Sequence, residues 1–327
     1  MQLLTAIFAI IAGFALLVWG ADRFVHGAAA TARNLGVSTL VIGLTIVGFG
    51  TSAPELLVSA MAAMSHNSGL AVGNAIGSNI TNVGLVIGVT AIITPLEVNS
   101  TTLRREFPLL FIVMLLTLAL LLDHYLGRTD GFILLGSLVL LVVWLIRLGM
   151  SGSRPEPMTH EYEREIPRIR LPIALMWTAI GFIVLLISSR ILVYGAVSIA
   201  HMLGVSDLVI GLTIVAIGTS LPELAASVMS ALKKEPDIAL GNVIGSNMFN
   251  LLGVLGLPGA IHPIRIGTEV LSRDYSFMIG LTIAMFVFAY GFKKPGKINR
   301  LEGFVLLGIY LAYMVVLYFS VHHRTGL

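Results

Sequence analysis

Two carboxylates stand inside apolar runs, where an ionised side chain is costly enough to be a functional-site hypothesis by default. Glu55 falls in residues 43–56, GLTIVGFGTSAPEL, and Glu223 in residues 211–224, GLTIVAIGTSLPEL. Around them are further oxygen donors: Thr45, Thr51 and Ser52 before Glu55, then Asn74, Ser78, Asn79 and Asn82. The second stretch repeats them as Thr213, Thr219 and Ser220 before Glu223, then Asn242, Ser246, Asn247 and Asn250. Ser52 with Glu55, and Ser78 with Asn82, are spaced to share one face of a helix. Pro54 and Pro222, with Gly48, Gly50 and Gly218, weaken the helix at the same depth. A proline there frees backbone carbonyls, tolerated only where they are buried or line a cavity. Carboxylates, hydroxyls, amides and carbonyls together suit a hard cation, calcium or sodium, whereas softer metals want sulfur or imidazole. The chain has no cysteine, and its histidines show no ligand spacing beyond the adjacent His322 and His323, which read as a solvated tail.

The elements that must position these groups are membrane spans. The 327 residues are 57% hydrophobic and 11% charged. Apolar runs divide at the loop signals into ten spans, about 3–33, 37–65, 70–95, 103–122, 129–150, 171–203, 205–233, 238–263, 271–292 and 300–320. The first run lacks a basic leader and a small-residue cleavage site, so it reads as a retained span. Residues 151–170, rich in Pro, Glu and Arg, form a soluble linker too short to be a domain.

Glu55 and Glu223, Gly13 and Gly181, Gly27 and Gly195, Asn82 and Asn250, and Arg105 and Arg273 are all separated by one interval. More than half of the positions between Gly27 and Asn82 match their partners at that interval. The chain is therefore two homologous halves, 1–150 and 171–327, joined by the linker. Five spans per half is an odd number, so the second half enters the membrane from the opposite side. The expected fold is an all-α membrane protein of ten transmembrane helices in two inverted five-helix repeats. Lys and Arg concentrate in the loops after the odd spans, at Arg33, Arg104, Arg105, Arg147 and Lys233 among others, while the opposite face carries only Arg128, Arg265, Arg273 and Arg324. Both termini should therefore be non-cytoplasmic. Asp22 and Arg190 read as interfacial charges, and Arg105-Glu106 and Arg273-Asp274 as interfacial anchors and local ion pairs.

Packing alone could account for one glycine-rich stretch, since small residues let helices approach closely. It accounts poorly for both halves keeping Thr-Ser-x-Pro-Glu and Gly-Asn-x-x-Gly-Ser-Asn while their surroundings drift. GTSAPEL with GNAIGSN, and GTSLPEL with GNVIGSN, resemble the paired alpha-repeats of the cation/calcium antiporter superfamily, which includes the sodium/calcium exchangers. The resemblance covers essentially the whole chain. It implies ions held among spans 2, 3, 7 and 8, and alternating access by sliding of spans 1 and 6. Carried over by position, Glu55 and Glu223 would bridge calcium and Thr51 and Thr219 would give carbonyls. Ser52, Ser78, Ser220, Ser246 and the carbonyls of Gly48 and Ala216 would line sodium sites, with Asn82 and Asn250 at the centre. Many members have Asp where this chain has Asn250, which leaves the pocket two formal charges. The resemblance does not extend to the long regulatory loop of animal exchangers.

The implied function is exchange of calcium for sodium across a bacterial inner membrane, in the direction of calcium efflux. Proton/calcium exchange is the same-fold alternative, with Glu55 and Glu223 as proton acceptors. A cation channel suits inverted repeats with broken helices less well. The chain shows no nucleophile with its base and no phosphate-binding Gly-rich Lys loop, so an enzyme or ATP-driven pump is not expected. Calcium and sodium are transported ligands rather than cofactors. The bilayer is the remaining partner, with neither nucleic acid nor an obligate protein partner implied.

Overall fold

The computed structural model of the chain describes residues 2–36, 42–64, 68–98, 105–150, 169–202, 216–290 and 296–325. It is almost wholly helical. The first half runs through α1 (Gln2–Leu35), a π-helical turn (Gly43–Val47), α2 (Gly48–Thr51), α3 (Ala53–Met64), α4 (Ser68–Thr81), a second π turn (Asn82–Ile87) and α5 (Gly88–Ile93). It continues with β1 (Leu96–Val98), α6 (Phe107–Leu121), β2 (Tyr125–Leu126) and α7 (Arg128–Met150). The second half follows with α8 (Leu171–Met202), α9 (Ala216–Thr219), α10 (Leu221–Leu232), α11 (Pro236–Phe249), a π turn (Asn250–Val254) and α12 (Gly256–Ile261). Then come β3 (Ile264–Arg265), a π turn (Val270–Tyr275), α13 (Ser276–Tyr290), β4 (Gly296–Ile298) and α14 (Arg300–Thr325).

Among the described residues seven helices are long and apolar enough to cross a membrane, or eight if the bent pair 43–51 and 53–64 counts as one span. Two shorter apolar helices, α6 and α10, lie where the fourth and seventh spans are expected. Most of the linker, with residues 203–215 that begin the expected seventh span and carry Thr213, lies outside the described residues.

Burial sorts the helices into two layers. Over their most apolar stretches, Pro236–Ile261 is 100% and Ala71–Ile93 72% buried, whereas α1, α7, α8 and α14 are only 22–28% buried. The Gly-Asn-x-x-Gly-Ser-Asn residues of the repeat are on this inner pair, and the outer helices present Leu4, Phe8, Ile11, Phe132, Leu140 and Leu301 outward. In water such a surface would be a severe liability; against lipid tails it is the expected one. This is a multi-pass integral membrane protein.

Small residues set the closest approach. The antiparallel helices α1 and α8 share the most extensive helix–helix contact among the described residues. A Cβ on Gly27 would overlap the backbone of Thr178, and one on Gly181 would overlap the backbone of Phe24. These glycines, with Gly13 and Gly195, are the positions that the repeat aligns, so their spacing reflects packing of α1 on α8. At 34 residues, α1 is about 50 Å long, well beyond a hydrocarbon core of about 30 Å, so it crosses tilted or projects beyond it.

Two short antiparallel ladders tie loops of opposite halves together. Leu96, Glu97 and Val98 pair with Ile298, Lys297 and Gly296, and Tyr125 and Leu126 pair with Arg265 and Ile264. The charge pairs divide less simply than the sequence suggests. Arg273 makes a two-pronged contact with Asp274 at 2.7 and 3.1 Å, and Tyr313 donates to the same carboxylate at 2.8 Å. The equivalent Glu106 is buried, with Oε2 unpartnered among the described residues. Asp22 is bound by Lys233 at 2.8 Å, an ion pair between α1 and the end of α10.

Candidate cation site

The two Thr-Ser-x-Pro-Glu motifs break their helices at the same residue. Ser52 has φ −79° and ψ 4°, and Ser220 has φ −88° and ψ 5°, each outside the α-helical basin and in the sparsely used bridge region. Pro54 and Pro222 then open α3 and α10, where a missing N–H costs nothing. The resulting bend between the two parts of the first motif's helix is 48°. Each proline also leaves the carbonyl four residues earlier without its helical donor. In the second half that carbonyl, on Gly218, accepts the Ser189 hydroxyl of α8 at 2.7 Å.

The breaks bring the halves together. Ser52 donates to Glu223 Oε1 at 3.3 Å. Thr51 donates to Asn242 Oδ1 at 2.9 Å and lies 3.4 Å from the Ser246 hydroxyl. Ser246 donates to the carbonyl of Gly48 at 3.2 Å, which also takes the backbone N–H of Ser52 at 3.1 Å. Glu55, Glu223, Thr51, Ser52, Ser78, Ser220, Ser246, Asn82 and Asn250 are all buried. Thr219 is partly buried at the end of α9, and Ala216 begins that helix.

The oxygens left over point to the ligand. Among the described residues neither oxygen of Glu55 has a hydrogen-bond partner, nor do Glu223 Oε2, Ser220 Oγ, Asn82 Oδ1 or Asn250 Oδ1. Buried acceptors are normally satisfied, because stripping water from one without replacement costs about 1–3 kcal/mol. Several such oxygens from both halves, left without a partner among the described residues, are the arrangement that a positive ion would satisfy. Of the expected residues, Ser78 is buried on α4, but its hydroxyl is not among these free acceptors.

Four further asparagines hold the chamber's walls. Asn74 donates to the Glu55 carbonyl at 3.2 Å, and Asn242 donates to the Glu223 carbonyl at 3.1 Å and to Ser227 at 2.8 Å. Asn79 and Asn247 receive the amides of Asn250 and Asn82, each at 3.1 Å. The sequence displays all four in its Gly-Asn-x-x-Gly-Ser-Asn motifs, but spacing alone does not separate residues facing the ion from those behind them. The π turns beginning at Asn82 and Asn250 carried no sequence signal; such bulges recur at functional sites because they re-aim side chains.

The family model described as sodium/calcium exchanger protein matches residues 5–148 and 173–319. The chain belongs to the sodium/calcium exchanger family. It is 48% identical to CaxA of Alkalimonas amylolytica over 320 residues, covering 97% of this chain and 100% of that protein. It is 39% identical to the inner membrane protein YrbG of Escherichia coli over 321 residues, covering 97% and 98%. Among solved structures, the sodium-calcium exchanger NCX_Mj soaked with 10 mM sodium and no calcium superposes with a TM-score of 0.82 at 31% identity, covering 96% of this chain and 99% of that one. Agreement in fold and in sequence along nearly the whole length places the motif residues of this exchanger-family chain in a shared architecture.

Proposed function

We propose that this chain is a secondary antiporter that exports calcium in exchange for sodium, by alternating access, across a bacterial inner membrane. The observation that carries the reading is the pair Glu55 and Glu223, buried in one chamber from opposite halves with three of their four oxygens unpartnered among the described residues. Two carboxylates match the charge of one calcium, and the neutral oxygens of Ser, Thr, Asn and the broken helices complete the six to eight ligands that calcium takes. Sodium would compete for the Ser52, Ser78, Ser220 and Ser246 side of the same chamber, together with the Gly48 and Ala216 carbonyls, while the Thr51 and Thr219 carbonyls would join the two glutamates around calcium. Occupation by one ion would exclude the other.

The architecture behind this reading is ten spans in two inverted repeats, residues 1–150 and 171–327, around the 151–170 linker. The ladders support the count. β1 and β4 follow the third and ninth expected spans, and β2 and β3 follow the fourth and eighth. An even number of crossings separates the partners in each case, as pairing on one membrane face requires. The face bearing Glu97 and Lys297 would be cytoplasmic and both termini would lie outside. YrbG, named an inner membrane protein, supports the location.

Labelled-calcium uptake into proteoliposomes tests the reading, comparing an imposed sodium gradient with an imposed proton gradient at clamped potential. Uptake driven by sodium supports it. Uptake driven only by protons makes the proton the driving ion, with Glu55 and Glu223 as its acceptors, and uptake needing neither gradient means passive flux.

A further inference from the structure

We propose that Asn79 is a positioning residue that sets the polarity of the chamber, fixing the central amide of Asn250 so that its oxygen, and not its NH2, faces the cation. The inference rests on the cation reading of the chamber and adds to it a residue that touches no ion.

A side-chain amide is a two-faced group. Turned by half a rotation about its last bond it exchanges an acceptor for a pair of donors at almost no steric cost, so its hydrogen-bond partners decide which face it shows. For Asn79 the decision is made by an atom that cannot itself turn over. Its Nδ2 donates to the backbone carbonyl of Asn247 at 3.3 Å and lies 3.4 Å from the thioether of Met278. A carbonyl only accepts, so Asn79 must present NH2 on that side. Its Oδ1 is thereby committed to the other side, where it accepts Asn250 Nδ2 at 3.1 Å. With its NH2 turned towards Asn79, Asn250 presents Oδ1 on the other side of the amide, and that atom is buried with no partner among the described residues. The order runs from main chain to Asn79 to Asn250 to ion.

The same contact recurs with the halves exchanged. Asn82 Nδ2 donates to Asn247 Oδ1 at 3.1 Å, and Asn82 Oδ1 is the other unpartnered amide oxygen among the described residues. Each central asparagine is thus held by the asparagine three residues before the central one of the opposite half. A flipped amide at either position would aim N–H groups at a cation and leave two acceptors facing each other behind it. Both changes oppose binding, and burial raises the cost of each.

The relay matters because position 250 is Asn. A carboxylate offers oxygen on both sides and needs nothing to orient it. In the Asn250→Asp variant Asn79 Oδ1 would instead face a second acceptor, so its removal should cost nothing or help. The test is equilibrium binding of labelled calcium to purified protein for Asn79→Leu and Asn79→Ala, each made with Asn250 and again with Asn250→Asp, with monodispersity confirmed. Expected is a calcium affinity at least about tenfold weaker when Asn250 is retained and a change of no more than about twofold, or a gain, beside Asn250→Asp. An equal loss in both backgrounds means that Asn79 only supports packing and overturns the proposal, as does no loss in either. If Asn79→Leu does not fold, the decision passes to Asn79→Ala, and failure of both to fold in the Asn250 background while both fold beside Asn250→Asp counts for the relay; failure in both backgrounds counts against it. Glu55→Gln in the same assay separates the two levels: normal calcium binding there removes the cation reading itself, whereas lost binding with equal Asn79 effects removes only the relay.

Discussion

Glu55→Gln should reverse its effect on stability when calcium is added. In the cation-free protein Glu55 is fully buried and neither carboxyl oxygen has a hydrogen bond of normal geometry among the described residues. An unsatisfied buried polar atom costs about 1–3 kcal/mol, and more when charged. Glutamine keeps the shape, carries no charge and turns one bare acceptor into an NH2 that can donate to the free oxygens around it, so a gain of about 1–3 kcal/mol is expected. At about 2–4 °C per kcal/mol for proteins of 150–250 residues, that is a rise of a few degrees in the apparent unfolding midpoint. Calcium at a thousand times its Kd stabilises a binding-competent protein by about 4 kcal/mol. The variant should forgo nearly all of this, so the wild type becomes the more stable form. The assay is thermal unfolding in detergent, first in chelator with choline as the only cation, then across a calcium titration. A variant less stable than wild type in chelator would refute the argument from unpaired oxygens, and a variant stabilised by calcium as strongly as wild type would refute the site. Glu223→Gln should show the smaller gain in chelator, because Ser52 already satisfies Oε1.

Ser189→Ala strips the donor from the Gly218 carbonyl at the second helix break, and should lower the unfolding midpoint by the equivalent of about 1–3 kcal/mol. Gly181→Val places a branched side chain where even a Cβ meets the Phe24 backbone; transport should fall severely, read as calcium uptake per correctly inserted protein. Asn250→Asp adds a third ionisable group and should make calcium flux respond more strongly to membrane potential; flux that responds identically in both forms would end the charge count. The chain contains no cysteine, so single cysteines report topology without background: Lys297→Cys should react with an impermeant maleimide only from the cytoplasmic face and Arg265→Cys only from outside.

How much of this was legible in the sequence depends on how far apart the interacting residues lie. Pro54 and Pro222 break helices through a local cause, the missing N–H, and both breaks fall one turn before the carboxylates, as the motifs suggest. The glycines aligned by the repeat announce close approach, and α1 against α8 supplies it. Glu106 is different. The motif Arg-Glu at 105–106 looks equivalent to Arg273-Asp274, but the phenol that satisfies Asp274 comes from Tyr313 on α14, and no local pattern foretells whether a distant helix carries a hydroxyl. The same limit hides the asparagine relay. Asn79 and Asn250 are equally polar, equally buried and set in similar motifs; only the Asn247 carbonyl across the chamber distinguishes the one that orients from the one that faces the ion.

The departures from equivalence between the halves carry information that the repeat itself does not. Ser52 reaches Glu223, while Ser220, its counterpart, has a hydroxyl unpartnered among the described residues, as are both carboxyl oxygens of Glu55. Ser189 closes the Gly218 carbonyl, and the equivalent residue in the first half is Ala21, which has nothing to donate. The first difference is conformational, since both serines are present and one contact is made. The second is fixed in the sequence, because no motion gives Ala21 a hydroxyl. Two halves identical in every contact would give a chamber with no preference between them. The chain thus keeps the chemistry of Glu55 and Glu223 equal while presenting the two carboxylates from helix breaks that differ in hydrogen bonding: the second has a side-chain donor on its freed carbonyl, and the position equivalent to that donor in the first half is an alanine.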